Sequence, residues 1–176
     1  MVFMAACHYP VAMHEASESS TLAPRVVTAQ LDDPAHQAAM VSLLNMYAAD
    51  PMGGAAPLPD SVRATLIAGL QDQPHALVLL AYDRERPVGL LIGFEGFSTF
   101  QARRLLNIHD IAVDPGWRGR GIGRLLMQQA EAVARERGYG QVTLEVREDN
   151  PVAQALYQAE GFRECEPRMW FWKKRL

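Results

Sequence analysis

With 176 residues, 49% of them hydrophobic, the chain is long enough for one well-buried core and short for two. Its net charge of -3 excludes the broad basic surface that nucleic-acid binding needs, so any anion site must be local, although 15 of its 17 cationic residues are Arg. The longest apolar run, Ala76 to Tyr82, falls far short of the roughly 20 residues of a membrane helix, and Cys7 and Cys165 have no metal-ligand spacing around them. A cytoplasmic protein with no metal, no nucleic-acid partner and no membrane partner is the expectation, and a homodimer is compatible with everything in the sequence.

In chain order, residues 1–23 lack the basic and apolar regions of a signal peptide and read as a flexible tail, which leaves 24–176 as a single domain. Arg25–Leu31 predicts a strand, and Pro34–Ala49 a helix with Met40, Leu43, Leu44 and Tyr47 at helical spacing. The stretch DPMGGAAPLPD from Asp50 to Asp60 breaks that period and predicts a substrate-side loop. Asp60 or Ser61 can cap a helix running to about Leu70, after which ALVLLAYD and PVGLLIGFEGF form a hairpin through the turn DRERP. A strand over Leu106–Val113 enters the run R-G-R-G-I-G at 118–123. The helix that follows, predicted over 119–137, carries Ile122, Leu125, Leu126, Val133 and Ala134 as an apolar stripe and stops at Gly138. Gln141–Arg147 predicts another strand, about Pro151 to Glu160 a short helix, and Met169–Lys173 a final strand. The class is α/β (α+β), with a central mixed, mostly antiparallel sheet flanked by helices.

The glycine run has chemistry of its own. Its G-x-G-x-G spacing at 119, 121 and 123 fits a dinucleotide fingerprint poorly, and Arg124 and Leu125 stand where a nucleoside-triphosphate loop needs Lys and Ser or Thr. Side-chain-free residues at a helix start let the N–H groups of 119–124 converge on an anion, and a diphosphate suits such a cradle. A flexible helix cap beside solvated arginines is the other reading these six residues allow.

Residues farther along the chain narrow the choice. VDPGWRGRGIG, together with LEVREDNPVAQALYQAEGF at 144–162, resembles the GCN5-related N-acetyltransferase (GNAT) family, over roughly residues 25–176. The resemblance implies a sheet splayed open between the strand ending in Ile111, Ala112 and Val113 and the strand QVTLEVR. It also implies acetyl-CoA as cosubstrate. The main chain of Ile111, Ala112 and Val113 would meet the pantetheine arm, and Arg118, Gly119, Arg120, Gly121, Ile122, Gly123 and Arg124 would hold the pyrophosphate. Asn150 would contact the pantetheine, and Tyr157 would protonate the departing thiolate.

A base is also needed, because an alkylamine of pKa about 10.4 is almost wholly protonated at neutral pH. His109 is the leading candidate, since an imidazole titrates near neutrality; Asp110, Glu95 and Glu145 are the others. FSTF at 97–100 followed by LLNIHDIAV is similar to polyamine-type and diamine-type acetyltransferases, except that His109 replaces the Glu of their Glu-Asp pair. Cys165 is expected to pack rather than react. The expected acceptor is the primary amine of a small metabolite. A protein N-terminus, from the resemblance of LEVR, Asn150, LY and GF to ribosomal-protein acetyltransferases, and a noncatalytic acyl-CoA-binding module are the alternatives.

Overall fold

The computed structural model describes residues 23–174. The predicted tail therefore lies outside the described residues, apart from Ala23. The chain folds in the order β1 (Arg25–Thr28), α1 (Pro34–Ala49), α2 (Asp60–Gln71), β2 (Ala76–Asp83), β3 (Arg86–Ser98), β4 (Arg103–Val113), α3 (Ile122–Glu136), β5 (Gln141–Leu144) and α4 (Pro151–Ala159). These strands form one five-stranded sheet in sequence order. The first three pairings are antiparallel and β4–β5 is parallel. Among the described residues no helix is long and apolar enough to cross a membrane.

Both faces of the sheet are covered, which explains why β2 and the first half of β3 are continuously apolar. On one face Met40 and Leu43 of α1 and Leu70 of α2 pack on Val78, Leu80, Leu90 and Ile92. On the other, Leu126, Met127, Ala130 and Val133 of α3 pack on Leu77, Leu79, Leu91 and Leu106, and Tyr157 of α4 joins the same cluster. Each fully buried leucine contributes about 1.5–3 kcal/mol to holding these layers together. Leu125, expected in the stripe, is only half-buried, and Met127 and Ala130 complete it instead.

Helix ends follow local chemistry. Asp33 caps α1 by accepting from the Ala35 N–H at 2.7 Å, with Pro34 in the first turn. Asp60 is the first residue of α2 rather than its cap, and its carboxylate takes the Arg63 guanidinium. Gly138, at φ +71, stops α3 as expected. β1 ends at Thr28 rather than Leu31, because the Gln30 N–H turns to His36 Nδ1 at 3.0 Å. α3 begins only at Ile122, so the first glycines belong to a loop.

The predicted last strand is absent: Met169 to Lys173 carries no strand pairing, and Met169, Trp170, Phe171 and Trp172 are exposed. Four consecutive large apolar residues lack the alternation that would assign one side to a sheet face and the other to solvent.

Candidate active site

The sheet opens at its β4–β5 junction. β4 pairs with β5 only from Leu105↔Gln141 to Ile108↔Leu144, yet β4 itself continues to Val113. Residues 145–147, expected to prolong β5, leave the ladder. On the other side of β4 the Asp114 N–H donates to the Val88 carbonyl at 2.9 Å. Strand alternation then turns the main chain of Ala112 toward β3, and that of Ile111 and Val113 toward the opening. Ala112 is thus spent on the β3 ladder, while Ile111 keeps both its main-chain groups facing the gap. The Val113 carbonyl accepts from Arg118 Nε at 3.2 Å, which leaves its N–H.

Directly beyond that edge lies the glycine loop. Gly119 and Gly121 adopt φ +75 and +81, the left-handed region that a side chain disfavours. Gly121 caps α3 without any side-chain hydrogen bond. Among the described residues none of the N–H groups from Gly119 through Arg124, Ile122 included, meets an acceptor in the chain. Unpaired donors at the positive end of α3 are what an anion would need from this loop. Gly123 has a different reason to be glycine: a Cβ there would sit 3.1 Å from Leu156 Cδ2, so it lets α4 approach α3.

The three arginines are not equivalent. Arg118 Nη2 donates to Asp50 Oδ2 at 2.8 Å, and Arg124 Nε to Glu160 Oε1 at 2.8 Å. Arg120 meets no carboxylate among the described residues and lies with its guanidinium carbon 5.5 Å from the Trp117 ring centroid. Trp117 is anchored in turn by its Nε1–H to Asp83 Oδ2 at 3.1 Å and by Arg86 stacked at 4.1 Å. Of the three, Arg120 alone has no carboxylate partner among the described residues.

Between the cradle and the hairpin end, β4 carries a bulge. Ile92 pairs with Asp110 and Gly93 with Ile108, so His109 is the extra residue. Its exposed ring stands edge-on to Phe94, 5.8 Å between centroids, on the α1–α2 side of the sheet. Asp110 is half-buried, and burial pushes its carboxyl above the usual range against the partial relief of the His109 charge. Tyr47, at the end of α1, is pushed up by burial and then by the charges of Asp110 and Asp50. Tyr157 belongs to the opposite layer, yet after burial the second cause that pushes its phenol up to about 12 is Tyr47. The two phenols sense each other where the sheet parts. Tyr157 is 7% exposed, and its hydroxyl, which meets no protein partner among the described residues, is not fully buried.

Other candidates lie elsewhere. Glu95 faces the α3 side, where Tyr139 donates its hydroxyl to Glu95 Oε2 at 2.5 Å and Arg104 Nε lies 3.3 Å from Oε1. The Tyr139 hydrogen bond, ahead of burial, which acts the other way, holds this carboxyl below its usual range; it suits a structural anion better than a base. Glu145 is exposed and accepts from Asn107 Nδ2 at 3.4 Å. Asn150 uses its Oδ1 to cap α4 through the Ala153 N–H at 3.2 Å, which leaves Nδ2 to donate. Cys165, expected to pack, is exposed. A hollow of about 300 Å³ beside β5, with Met127, Val142 and Phe162 in its wall, shares no residue with the cradle.

A sheet splayed between β4 and β5 is the arrangement the sequence resemblance implied. The profile of the Acetyltransferase (GNAT) family matches residues 40–162. The chain belongs to the GNAT acetyltransferase family. Streptothricin acetyltransferase of Streptomyces lavendulae is 47% identical over 77 residues, which cover 44% of this chain and 41% of that protein. The N-alpha-acetyltransferase RimI of Mycobacterium tuberculosis is 38% identical over 94 residues, covering 52% of this chain and 58% of that one. The chain thus spans about half the length of these relatives. An aminoglycoside N(6′)-acetyltransferase type 1 of Acinetobacter genomosp. 13 is 33% identical over 111 residues, 61% of this chain and 75% of the relative. Among solved structures, a probable acetyltransferase superposes with TM-score 0.74 at 27% identity, over 86% of this chain and 98% of the other.

For a GNAT chain the cosubstrate is acetyl-CoA, and the residues present fit it: unpaired donors suit its diphosphate, and the free edge of Ile111 and Val113 suits an extended amide-bearing arm. Sequence reasoning read Tyr47 as an apolar position of α1 and gave Asp50 no role. The signal was there in Y-A-A-D, which sets Tyr47 and Asp50 three apart on one helix face just before the glycine-proline loop.

Proposed function

We propose that this chain transfers the acetyl group of acetyl-CoA directly to the primary amine of a small cationic molecule. The observation that carries the reading is convergence: the unpaired donors of residues 119–124 adjoin the free edge of Ile111 and Val113 at the gap between β4 and β5, and Tyr47 is near enough to Asp110 and Tyr157 for their charges to act on one another. Acetyl-CoA supplies an activated thioester whose carbonyl carbon is attacked by the amine. Gly119, Gly121 and the N–H groups through Arg124 hold its diphosphate, with Arg120 as the cationic partner. The Nδ2 of Asn150 is free to donate to the arm.

On the acceptor side, the Asp110 carboxylate attracts the ammonium form of the substrate. His109, next to it on the bulge and open to solvent, takes the proton and passes it to water. Tyr157 stays protonated at any physiological pH and donates a hydrogen bond where negative charge develops on sulfur. Asp50 and Asp110 beside Tyr47 favour a cationic acceptor, in keeping with the substrates that the names of the streptothricin and aminoglycoside relatives specify.

Release of free CoA thiol, followed with streptothricin, aminoglycosides, simple diamines and N-terminal peptides as acceptors, tests the reading. Turnover with a small cationic amine at a kcat/KM at least about 10²-fold above that of any peptide is expected. Preference for peptides would assign the chain to protein N-termini, the reading its similarity to RimI favours. Binding of acetyl-CoA with no turnover across the panel would make it a noncatalytic acyl-CoA module.

A further inference from the structure

We propose that Trp117 is a positioning residue for the cofactor: its ring holds the Arg120 guanidinium beside the glycine loop without cancelling the charge that a diphosphate needs. The proposal rests on the reading of 119–124 as the coenzyme A diphosphate site. The arginines of that loop are held in two different ways. Arg118 donates to Asp50 Oδ2 at 2.8 Å and Arg124 to Glu160 Oε1 at 2.8 Å, so each is partnered by an anion. Arg120 has a ring instead, with its guanidinium carbon over Trp117 at 5.5 Å from the centroid.

That difference matters because a carboxylate and a phosphate compete for the same N–H donors. A guanidinium paired with a carboxylate must give up part of that pairing before it serves a phosphate. An aromatic face attracts the cation through its quadrupole, yet leaves the net charge and the N–H donors to spend. Restraint is needed at this position in particular. Arg120 stands between Gly119 at φ +75 and Gly121 at φ +81, two joints without side chains, and is itself exposed. An unrestrained arginine forfeits its rotamer freedom when it grips an anion, and a ring that confines it beforehand removes part of that cost.

Trp117 can act as a shelf because it is fixed in its own right. Its Nε1–H donates to Asp83 Oδ2 of β2 at 3.1 Å, and its main-chain N–H to the Asp114 carbonyl at the exit of β4 at 2.8 Å. Asp114 Oδ1 accepts from the Gly116 N–H at 2.9 Å, which closes the turn Pro115–Trp117 from its other end. The ring is partly buried and packs against the core on the α3 side. A second cation, Arg86, stacks on it at 4.1 Å, but Arg86 Nη2 lies 3.1 Å from Asp114 Oδ2. That charge is compensated. The uncompensated guanidinium on the ring is the one between the glycines.

Calorimetric titration of the full chain with coenzyme A and with 3′-dephospho-coenzyme A tests the proposal on wild type, Trp117→Leu, Trp117→Phe, Arg120→Ala and the double variant Trp117→Leu/Arg120→Ala. Thermal melts confirm that each is folded, and Trp117→Met, which fills the space without a π face, replaces the leucine variant should that one unfold. Removing the ring should raise the coenzyme A Kd about 2- to 5-fold, the range of an exposed cation–π contact. In the Arg120→Ala background the same change should leave Kd where it was, since a residue that acts through Arg120 then has nothing to position. Trp117→Phe keeps a ring but not the Asp83 hydrogen bond, and should recover part of the lost affinity. Because both ligands carry the diphosphate, the losses should be the same with 3′-dephospho-coenzyme A.

An equal loss in both Arg120 backgrounds, no loss on removing the ring, no recovery with phenylalanine, or a loss confined to the ligand that carries the 3′-phosphate would each overturn the positioning role while leaving the cofactor site intact. A wild type that binds neither ligand would overturn the diphosphate reading and the proposal together.

Discussion

Replacing Gly121 and Gly123 by alanine should give opposite results, although the two residues stand two apart in one glycine run. At Gly121, φ is +81 and a Cβ would meet nothing within 4 Å, so the cost is entirely that of the backbone. A left-handed conformation costs a residue with a Cβ about 1–2 kcal/mol. For a domain of this size that is a fall of roughly 2–8 °C in Tm. The strain can be relieved by rotating the peptide units on either side, which turns N–H groups out of the cradle. An approximately 10-fold rise in the Kd for coenzyme A corresponds to about 1.4 kcal/mol of that lost alignment. Gly123 is already helical, and its added methyl would press at 3.1 Å on Leu156 Cδ2, the end of a side chain that can give. The better helix propensity of alanine, up to about 1 kcal/mol, offsets the contact. Gly123→Ala should therefore melt within about 2 °C of wild type and bind coenzyme A within about 3-fold. Gly123→Val, with branched bulk against Leu156, should lose about 1–3 kcal/mol through overpacking. Thermal melts and calorimetric titration read both quantities. A Gly121→Ala protein as stable and as tight-binding as wild type would refute the reasoning, because neither the left-handed loop nor its N–H groups would then matter.

Tyr157→Phe should lower kcat by about 10²-fold at every pH from 6 to 10 while leaving the coenzyme A Kd unchanged, as stopped-assay rates and titration would show. His109→Ala should remove the acidic limb of the rate–pH profile and be partly rescued by raising the pH; retention of the wild-type profile would move proton acceptance to Asp110 or water. Asp110→Asn should raise Tm at neutral and alkaline pH, since burial pushes the native carboxyl up and the charged form is therefore strained by the fold. That gain should vanish as pH falls below the ordinary carboxylate value near 4, where wild type becomes neutral in both states. Arg120→Ala should weaken coenzyme A binding about 3- to 10-fold, and less so at high salt, whereas Arg124→Ala, whose partner is Glu160, should change it little.

The elements of this fold were legible wherever one physical signal dominated. The helical spacing of Met40, Leu43, Leu44 and Tyr47 placed α1 at Pro34–Ala49, and the apolar run of Ala76–Tyr82 placed a strand. The glycine run suggested an anion site, but pattern alone could not divide its labour: the structure shows that Gly119 and Gly121 serve backbone conformation and Gly123 the α3–α4 contact. The bulge that makes His109 and Asp110 neighbours on the α1–α2 side is invisible in sequence, because it is a property of the pairing with β3 rather than of β4. For the same reason the strand expected at Met169–Lys173 failed. Apolar content was sufficient, but no partner strand and no alternation fixed a register.

The elevation of Tyr157 also decides what kind of acid it can be. Its phenol is pushed to about 12 by burial and by Tyr47, whereas a free thiol has a pKa of about 8.5. Complete proton transfer from this tyrosine to a fully formed thiolate would run uphill by about 3.5 pKa units, or nearly 5 kcal/mol. A hydrogen bond that strengthens while the carbon–sulfur bond breaks carries no such penalty, since the proton need not leave oxygen. The burial of the ring that weakens Tyr157 as an acid also lowers the dielectric beside its hydroxyl, which would strengthen a hydrogen bond offered to developing charge. Electrostatic stabilisation by the phenol, with the final proton arriving from solvent, would reconcile a high phenol pKa with a leaving thiolate.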